Sequence, residues 1–418
     1  MESLQQVRQR FLDTCISRIT PGGVHTVAFQ PKQTRRSEDF VAIEQWQIHG
    51  HHWTFLAVFD GHGGVDTSRY AADVLPRRIQ TALTALISTS ESATVNASAV
   101  QSISDMLTQQ IKTFDRAIGK AVKRLCENPD DLDDTSAQAI VDANFEVLAR
   151  AFYGSTLAAA LINENGQLWV ASVGDSTHCS AVSYLLPDGT RDGKRLSKMH
   201  NPTVPSEYVR ISFRHPTSEV EDLFRDDRVL GSISMTRALG DFSFKWPKAF
   251  SERLLFKLPS TFDSEFPDKI RKFNKTPPYL TATPSVEYFD MTSSDTQDSK
   301  PILLLFSDGV DNIVKGEWVF HQDSPRSDEP SSVAGALLSD KISEHVQSVL
   351  GHHPQPRWLG ENGNMATELL GNLLAGTKVQ SFVDALNPLL LEDPDKIYID
   401  DTTLIVFPLS SLKPRTSS

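Results

Sequence analysis

Apolar residues from Phe55 to Phe59 end abruptly in Asp60, Gly61, His62 and two further glycines. An apolar run of this length suits a strand that is covered on both faces, and the cluster of glycines ends it. Asp60 offers oxygen to a hard cation, and His62 titrates near neutral pH. The stretch therefore predicts a buried strand that delivers a reactive turn. A tight turn in which Asp60 only caps the next helix is the alternative.

The same arrangement of an acid beside an apolar segment recurs along the chain, at Glu38 and Asp39, at Asp175, at Asp308, and at Asp400 with Asp401. Two bare carboxylates about 4 Å apart repel by about 4 kcal/mol at an intermediate dielectric, so a cluster of these acids requires cations. Oxygen ligands without cysteine favour Mg²⁺ or Mn²⁺ over structural zinc. The alternative is that each acid caps its own turn.

The spacing of apolar residues predicts the elements that carry these acids. A hairpin is predicted from Phe40 to Phe59, and helical spacing then begins near Tyr70. Strand patterns return from Thr156, and a last strand follows Asp401. A helix is predicted over 139–152. The segment 245–279 is rich in Phe, Pro and Lys and has little periodicity, which is typical of a surface insertion.

Composition excludes several classes of protein. Charged residues make up 22% and hydrophobic residues 39% of the 418 residues, as in soluble globular proteins. The formal net charge of -12 disfavours binding to nucleic acid or to an anionic membrane. Three cysteines without metal-ligand spacing indicate a reducing compartment, so we expect the cytoplasm or nucleus, with the mitochondrion not excluded. No apolar run reaches the length of a membrane span.

The order of these motifs resembles the PP2C-type metal-dependent protein phosphatases. The resemblance covers about residues 35 to 407. It rests on Glu38-Asp39, on the block from Phe59 to Gly64, on Gly154-Ser155-Thr156, on Val173 to Ser176, on Ser234 to Asp241, on Ser307-Asp308-Gly309 and on Asp400 to Thr403.

The resemblance implies an α+β fold in which two antiparallel sheets are sandwiched between helices, an α-β-β-α arrangement of four layers. It also implies two Mg²⁺ or Mn²⁺ ions at one end of the sandwich. Asp60 would bridge the two ions, and the carbonyl of Gly61 would bind one of them. Glu38 would bind one ion directly and Asp39 through water, and Asp308 and Asp400 would complete the other shell.

The reaction implied is attack of an activated water on the phosphate of phosphoserine or phosphothreonine, without a phosphoenzyme. His62 can give a proton to the leaving oxygen; the alternative is a structural histidine in the glycine turn. The family places a phosphate-binding arginine where this chain has Thr34, so Arg35 or Arg36 would substitute. Asp175 and Asp311 would form a third metal site, which is in doubt because Asn312 stands where the family has the acid.

These observations predict a N-terminal extension over 1–30, a phosphatase domain over 31–410 and a C-terminal tail over 411–418. Insertions are expected near 245–280 and 319–398. The expected partners are phosphoproteins, with no nucleic acid and no membrane, and the chain is expected to be a monomer. The competing hypotheses are a pseudophosphatase that holds a partner in the same cleft, and a two-metal nuclease, which the acidic composition disfavours.

Overall fold

The structure is a computed structural model that describes residues 2–32, 35–88, 97–175, 180–260, 262–291, 298–316, 329–392 and 397–412. Its strands are β1 (Cys15–Ile19), β2 (His25–Phe29), β3 (Phe40–Ile48), β4 (His51–Phe59), β5 (Gly61–His62), β6 (Gly154–Ser155), β7 (Leu157–Asn163), β8 (Gln167–Val173), β9 (Ser180–Leu185), β10 (Arg191–Arg195), β11 (Phe224–Arg225), β12 (Arg228–Val229), β13 (Leu239–Gly240), β14 (Ser285–Asp290), β15 (Ile302–Phe306) and β16 (Thr402–Pro408).

The α-helices of the described residues follow the same order. They are α1 (Leu4–Thr14), α2 (Asp66–Ser88), α3 (Ala97–Leu125), α4 (Asp134–Ala143), α5 (Phe145–Phe152), α6 (Pro205–Ser212), α7 (Val220–Leu223), α8 (Phe242–Lys245), α9 (Lys248–Arg253), α10 (Phe266–Phe273), α11 (Gly309–Lys315), α12 (Pro330–Ala336), α13 (Glu344–Leu350), α14 (Met365–Leu374), α15 (Val379–Ala385) and α16 (Pro388–Leu391).

Two antiparallel sheets form the centre of the fold. One has five strands in the order β14-β8-β7-β4-β3, and the other has six in the order β1-β2-β16-β15-β9-β10. A small third sheet, β13-β6-β5, lies at the end of β4. Because β4 and β16 are both interior strands, the acids that flank them are held by neighbours on both sides.

Strand β4 shows why the predicted strand is buried on both faces. Its side chains alternate, so Phe55, Ala57 and Phe59 pack in the core on the helical side. Leu56 and Val58 pack in a second core between the two sheets. All of these side chains are nearly inaccessible to water, which fixes the register and therefore the place at which Asp60 emerges.

Helices cover the outer face of each sheet. The apolar sides of α2, α3 and α5 join the core on the outer face of the five-stranded sheet. On the outer face of the six-stranded sheet, a separate core contains residues of α1, α11, α14 and α15. The four layers match the α+β sandwich that the resemblance implies, and the predicted fold class is confirmed.

The helix predicted over 139–152 is two helices, α4 and α5, that meet at Asn144. The Asn144 side chain donates a hydrogen bond to the carbonyl oxygen of Ile140 at 3.0 Å, and its backbone leaves the helical region with φ -135° and ψ 33°. Asparagine competes for backbone groups in this way, which explains the break.

Two segments outside the predicted core of the domain pack against it. In residues 1–30, Val7 and Phe11 of α1 are buried, and β2 pairs with the interior strand β16. Between β13 and β14, Phe250, Leu255 and Phe266 are buried in the core on the helical side of β4. The limits of the domain and its insertions remain proposals.

Within the described ranges, no helix combines the length and the apolar character that crossing a bilayer requires.

Candidate metal centre and active site

The catalytic turn, defined here as residues 61–64, is fixed to the strand ends around it. The amide of Gly61 donates to the carbonyl oxygen of Glu38 at 3.2 Å, and the amide of Thr156 donates to the carbonyl oxygen of Asp60 at 2.8 Å. The hydroxyl of Ser68 in α2 also donates to the Glu38 carbonyl, at 2.7 Å. Only glycine fits at 61, because a Cβ there would collide with that carbonyl and that hydroxyl.

Asp401 ties the last strand to the first acids of the site. One oxygen of its carboxylate accepts from the amide of Glu38 at 2.6 Å, from the amide of Asp39 at 3.3 Å and from the hydroxyl of Ser37 at 2.8 Å. The sequence analysis predicts that Asp400 is a metal ligand and assigns no role to Asp401. The acidic pair itself was the signal, since two adjacent acids before a strand point in different directions.

Asp308 meets Asp60 across the ends of β15 and β4. The amide of Asp308 donates to Oδ2 of Asp60 at 3.2 Å. The residue before it is held by β16, because Ser307 and Thr403 exchange hydrogen bonds of 3.0 and 2.9 Å. The predicted acids at the ends of β4 and β15 are therefore neighbours in space.

Most of the predicted site residues line one cleft with a volume of about 780 Å³. Those in its lining are Arg35, Arg36, Glu38, Asp60, Gly61, His62, Asp175, Asp308 and Asp400. Asp39 and Asp311 are not in the lining; burial is the main cause that raises the pKa of each, and the charge of Asp60 adds to the rise. Thr34, where the family has its arginine, lies outside the described residues.

The carboxylates raise one another's pKa values. Burial, followed by the charges of Asp60 and Asp401, raises the pKa of Asp39 well above its ordinary value. Burial and then Asp60 and Asp400 do the same to Asp308. Burial, and after it Asp401, raises the pKa of Asp400 to about 8. Such a group of acids is unfavourable as bare anions and is stabilised by positive charge.

Whether these acids fit divalent ions can be tested on their donor atoms. One oxygen of Asp39, Oδ2, is buried and has no hydrogen-bond partner among the described residues. Buried polar atoms usually have a partner, and a carboxylate oxygen without one is suited to a cation or to its water shell. Within the described ranges, however, no three Asp, Glu, His or Cys side chains come close enough together to hold an ion. The oxygen donors suit hard cations, but among the described residues they are not arranged as a complete coordination shell.

His62 is paired with an aspartate that sequence reasoning did not assign to it. Nε2 of His62 lies 2.8 Å from Oδ2 of Asp241, whose side chain is 1% exposed, against 22% for His62. Burial alone would lower the pKa of His62, but the charge and hydrogen bond of Asp241 outweigh it and raise that pKa to about 9. A pKa raised in this direction favours the protonated imidazolium, which is the form that could give up a proton.

Asp241 has an unusual backbone conformation that is held by hydrogen bonds. Its φ of 51° lies in the left-handed region, which residues other than glycine seldom adopt. Its amide donates to the carbonyl oxygen of Tyr153 at 3.0 Å. The preceding Gly240 donates to Asp115 of α3 at 2.9 Å, and Asp115 also accepts from Lys245 at 2.8 Å. The hydrogen bonds around β13 thus aim the carboxylate at His62.

Cationic side chains surround the mouth of the cleft. Arg35 and Arg36 are both exposed and both line it, so both are candidates to bind phosphate. Lys32 and Arg228 also line the cleft and were not predicted. Nζ of Lys32 lies 5.4 Å from the ring centre of Tyr398, and the Tyr398 hydroxyl donates to Asp400 at 2.8 Å.

The chain is similar in sequence to proteins that are named as phosphatases. A human protein named pyruvate dehydrogenase (acetyl-transferring) phosphatase 1, mitochondrial, is 29% identical over 328 residues, which are 74% of this chain and 58% of that protein. A protein phosphatase 2C homolog of Schizosaccharomyces pombe is 24% identical over 384 residues, 88% of this chain and 76% of its own length. The chain thus spans little more than half of the human relative.

Among solved structures, a serine-threonine phosphatase 2C from Toxoplasma gondii has a TM-score of 0.48 and 14% identity, with 94% of this chain and 98% of that chain covered. The sequence model described as Protein phosphatase 2C matches residues 28–348. That match covers most of the chain and confirms the resemblance seen in the motifs. The protein belongs to the Protein phosphatase 2C family.

Proposed function

We propose that the protein is a metal-dependent phosphatase that hydrolyses phosphoserine and phosphothreonine in proteins. The observation that carries the proposal is the group of acids around Asp60, which share one cleft with a protonated histidine and exposed arginines. Membership of a family of metal-dependent protein phosphatases supports it. Mg²⁺ or Mn²⁺ is the expected ion, because all the candidate ligands are oxygen atoms.

The residues suited to hold two ions are Glu38, Asp60, the carbonyl of Gly61, Asp308 and Asp400, with Asp39 behind them. When bound there, the ions would supply an activated water and neutralise charge on the phosphate. Asp401 contributes by orienting the amides of Glu38 and Asp39. A third ion between Asp175 and Asp311 remains a prediction.

His62 performs the proton transfer in this proposal. An alkoxide of serine or threonine is a poor leaving group, so the reaction gains from a donor placed beside it. Asp241 keeps His62 protonated and orients Nε2, because the two side chains share a hydrogen bond of 2.8 Å. Arg35 or Arg36 would bind the phosphate oxygens, for which the planar guanidinium is well suited.

The direct test is hydrolysis of a phosphothreonine peptide by the purified chain, with Mn²⁺ and with EDTA. We expect turnover that requires Mn²⁺ and that is lost in Asp60→Asn. Turnover at the same rate in EDTA, or no turnover in Mn²⁺ by correctly folded protein, would contradict the proposal.

A pseudophosphatase is the second hypothesis that the same experiment addresses. It predicts that the folded chain binds a phosphopeptide without releasing phosphate. Titration with Mn²⁺ separates the two further, because an enzyme of this kind must take up the ion whereas a binding module need not.

The names of the relatives suggest where to look for the substrate. Several are phosphatases of pyruvate dehydrogenase, so a phosphorylated pyruvate dehydrogenase is the first protein substrate to test. These relatives are named mitochondrial, and the mitochondrion therefore stands beside the cytoplasm and nucleus as a proposed compartment. Imaging of the tagged full chain tests this. The monomeric state and the lack of nucleic-acid or membrane partners also remain predictions.

A further inference from the structure

The segment between β13 and β14 forms a wall beside the catalytic turn. Within this segment, Ser260, Phe262 and Asp263 line the cleft that contains His62. We call the described residues Pro259, Ser260, Phe262 and Asp263 the wall segment. The proposed chemistry of water, metal and phosphate uses none of its side chains.

Aromatic contacts of the Phe262 ring support the wall segment. The ring of Phe262 stacks on Phe266 of α10 with 4.5 Å between centroids, and it meets the edge of Phe152 of α5 at 5.4 Å. Phe266 is buried and also contacts Phe244 at 5.7 Å. Because Phe152 and Phe266 pack in the main core, we expect the Phe262 ring to keep its position when a ligand binds.

The same segment is seated directly on the catalytic turn. Gly63 has a φ of 78°, and a Cβ there would overlap the ring of Phe262. A Cβ on Gly64 would overlap the ring of Tyr153, whose hydroxyl donates to the carbonyl oxygen of Pro259. The glycines of the turn therefore do more than bend the chain, since they leave space for the wall to approach.

Phe262 lies on the side of the cleft from which the proton comes. Its ring centre is 6.2 Å from that of His62, with the rings inclined at 61°. A histidine that protonates the leaving oxygen stands on the side of the substrate's peptide chain and not on the side of the attacking water. An aromatic ring next to it is therefore placed to touch the residues that flank the phosphorylated one.

We infer that Phe262 is a specificity-determining residue, which favours phosphopeptides with an apolar residue beside the phosphoserine or phosphothreonine. The inference rests on the proposed phosphatase function and names its substrate class. The Phe262 ring is only half-buried, so part of its surface is accessible to an apolar side chain of the substrate. Ile233 and Met235 line the same cleft and extend its apolar lining.

Asp263 is not assigned a recognition role. Its carboxylate accepts from the amide of Glu265 at 3.1 Å and from Nζ of Lys269 at 3.1 Å. These contacts hold the turn that precedes α10, and the charge of Asp263 is already paired with Lys269.

The test uses two phosphothreonine peptides that differ only in their flanking residues, with leucine on both sides in one and glycine on both sides in the other. For the wild-type chain in Mn²⁺ we expect kcat/KM to be about tenfold higher for the leucine peptide, the usual gain from one apolar contact in a pocket. In Phe262→Ala this ratio should fall to about one, mainly through KM. Phe262→Leu should keep part of it.

Phe256→Ala is the matched control. Phe256 belongs to the same aromatic cluster, at 5.9 Å from Phe266, is also half-buried, and does not line the cleft. The control should keep the preference for the leucine peptide. If Phe262→Ala does not fold, which circular dichroism would show, Phe262→Leu supplies the comparison.

Outcomes that overturn the inference differ from those that overturn the proposed function. A wild-type chain that hydrolyses both peptides equally, or a Phe262→Ala variant that loses the same factor on both peptides and on p-nitrophenyl phosphate, refutes the specificity role alone. If the wild type hydrolyses none of these substrates, the proposed function fails. The ratio of peptide affinities, measured by calorimetry, then still tests whether Phe262 recognises the flanking residues.

Discussion

Nε2 of His62 and Oδ2 of Asp241 are 2.8 Å apart, although 179 residues separate them in the sequence. The pair joins the turn after β4 to the end of β13. Because Asp241 is nearly inaccessible to water, its charge acts on His62 with little screening. The orientation of His62, the proposed proton donor, is therefore set from a second element.

Replacing His62 tests the proton transfer. His62→Gln should slow the hydrolysis of a phosphoserine peptide by about a hundredfold, because the leaving alkoxide then lacks its donor. The loss on p-nitrophenyl phosphate should be much smaller, since nitrophenolate leaves without a proton. Steady-state kinetics on both substrates give the measurement.

A matched control for His62 exists at the other end of β4. His51 forms a similar pair with Glu164, at 2.9 Å, and does not line the cleft. His51→Gln should leave both rates near those of the wild type. Equal losses on the two substrates in His62→Gln would argue against the role of general acid.

The charge of Asp60 should cost stability when no cation is present. Asp60 raises the pKa of Asp39 and of Asp308, so Asp60→Asn relieves repulsion in the cluster. We expect Asp60→Asn to abolish turnover and, in EDTA, to raise the free energy of unfolding by about 1 kcal/mol. Thermal unfolding in EDTA and in Mn²⁺ measures both effects.

Mn²⁺ should stabilise the folded wild-type chain against unfolding. An ion present at a hundred times its Kd stabilises the folded chain by about 2.7 kcal/mol, and Asp60→Asn should lose most of this gain. Asp73→Asn, an exposed change on α2, serves as control and should behave as wild type. No stabilisation of the wild type by Mn²⁺ would count against a metal centre.

Glu207 holds together the segment that leads to Asp241. Its carboxylate accepts from Arg237 at 2.6 Å, from Arg210 at 2.8 Å and from the hydroxyl of Thr236 at 2.6 Å. Glu207→Gln leaves two partly buried guanidinium groups without their countercharge and should destabilise the fold by about 3 kcal/mol.

Chemical denaturation measures the effect of Glu207→Gln. Glu146→Gln is the surface control, because Glu146 pairs with Arg150 at a similar distance but is 67% exposed. That change should cost less than about 0.5 kcal/mol. A loss in Glu207→Gln as small as that of the control would show that the buried network contributes little.

His200 should make the fold sensitive to mild acid. Burial, and then the charge of Arg237, lowers the pKa of His200 to about 3. The folded chain keeps this ring neutral, whereas the unfolded chain binds a proton below about pH 6.5. Stability from this residue is therefore complete above pH 6.5 and is lost as the pH falls towards 3, at about 1 kcal/mol per unit.

Urea denaturation at pH 7, 6 and 5 tests this dependence. His200→Gln should be less stable at pH 7, because the ring's hydrogen bond of 2.7 Å with Ser285 is lost, but it should show a flatter decline below pH 6. His52→Gln, at an exposed position, should keep the slope of the wild type. An unchanged slope in His200→Gln would contradict the prediction.

The sequence alone was sufficient for the class of fold and for most of the acids that line the cleft. Periodicity revealed β4, since both of its faces are buried, and the glycines marked its end. The recurrence of acids at strand ends identified Asp60, Asp308 and Asp400 as candidates. Their roles as metal ligands stay predictions.

Residues that act through tertiary contacts could not be predicted in this way. Asp241 meets His62 only because β13 pairs with β6, and β6 with β5. Asp401 supports Glu38 and Asp39 across 363 and 362 residues of sequence, so the acidic pair could mark Asp401 as a candidate but could not identify its partners. The role of Phe262 could not be predicted, because the Phe-rich segment around it follows neither a helical nor a strand period.

Asp401 also determines when the centre can exist. Its bond to the amide of Glu38 spans 363 residues of sequence, and β16, which follows it, lies between β2 and β15 in the sheet. During synthesis on the ribosome, residues 37–39 are made long before the residue that supports them. A nascent chain that ends before Asp401 therefore lacks this support for the cleft, and acquisition of the proposed activity would report that β16 has joined the sheet.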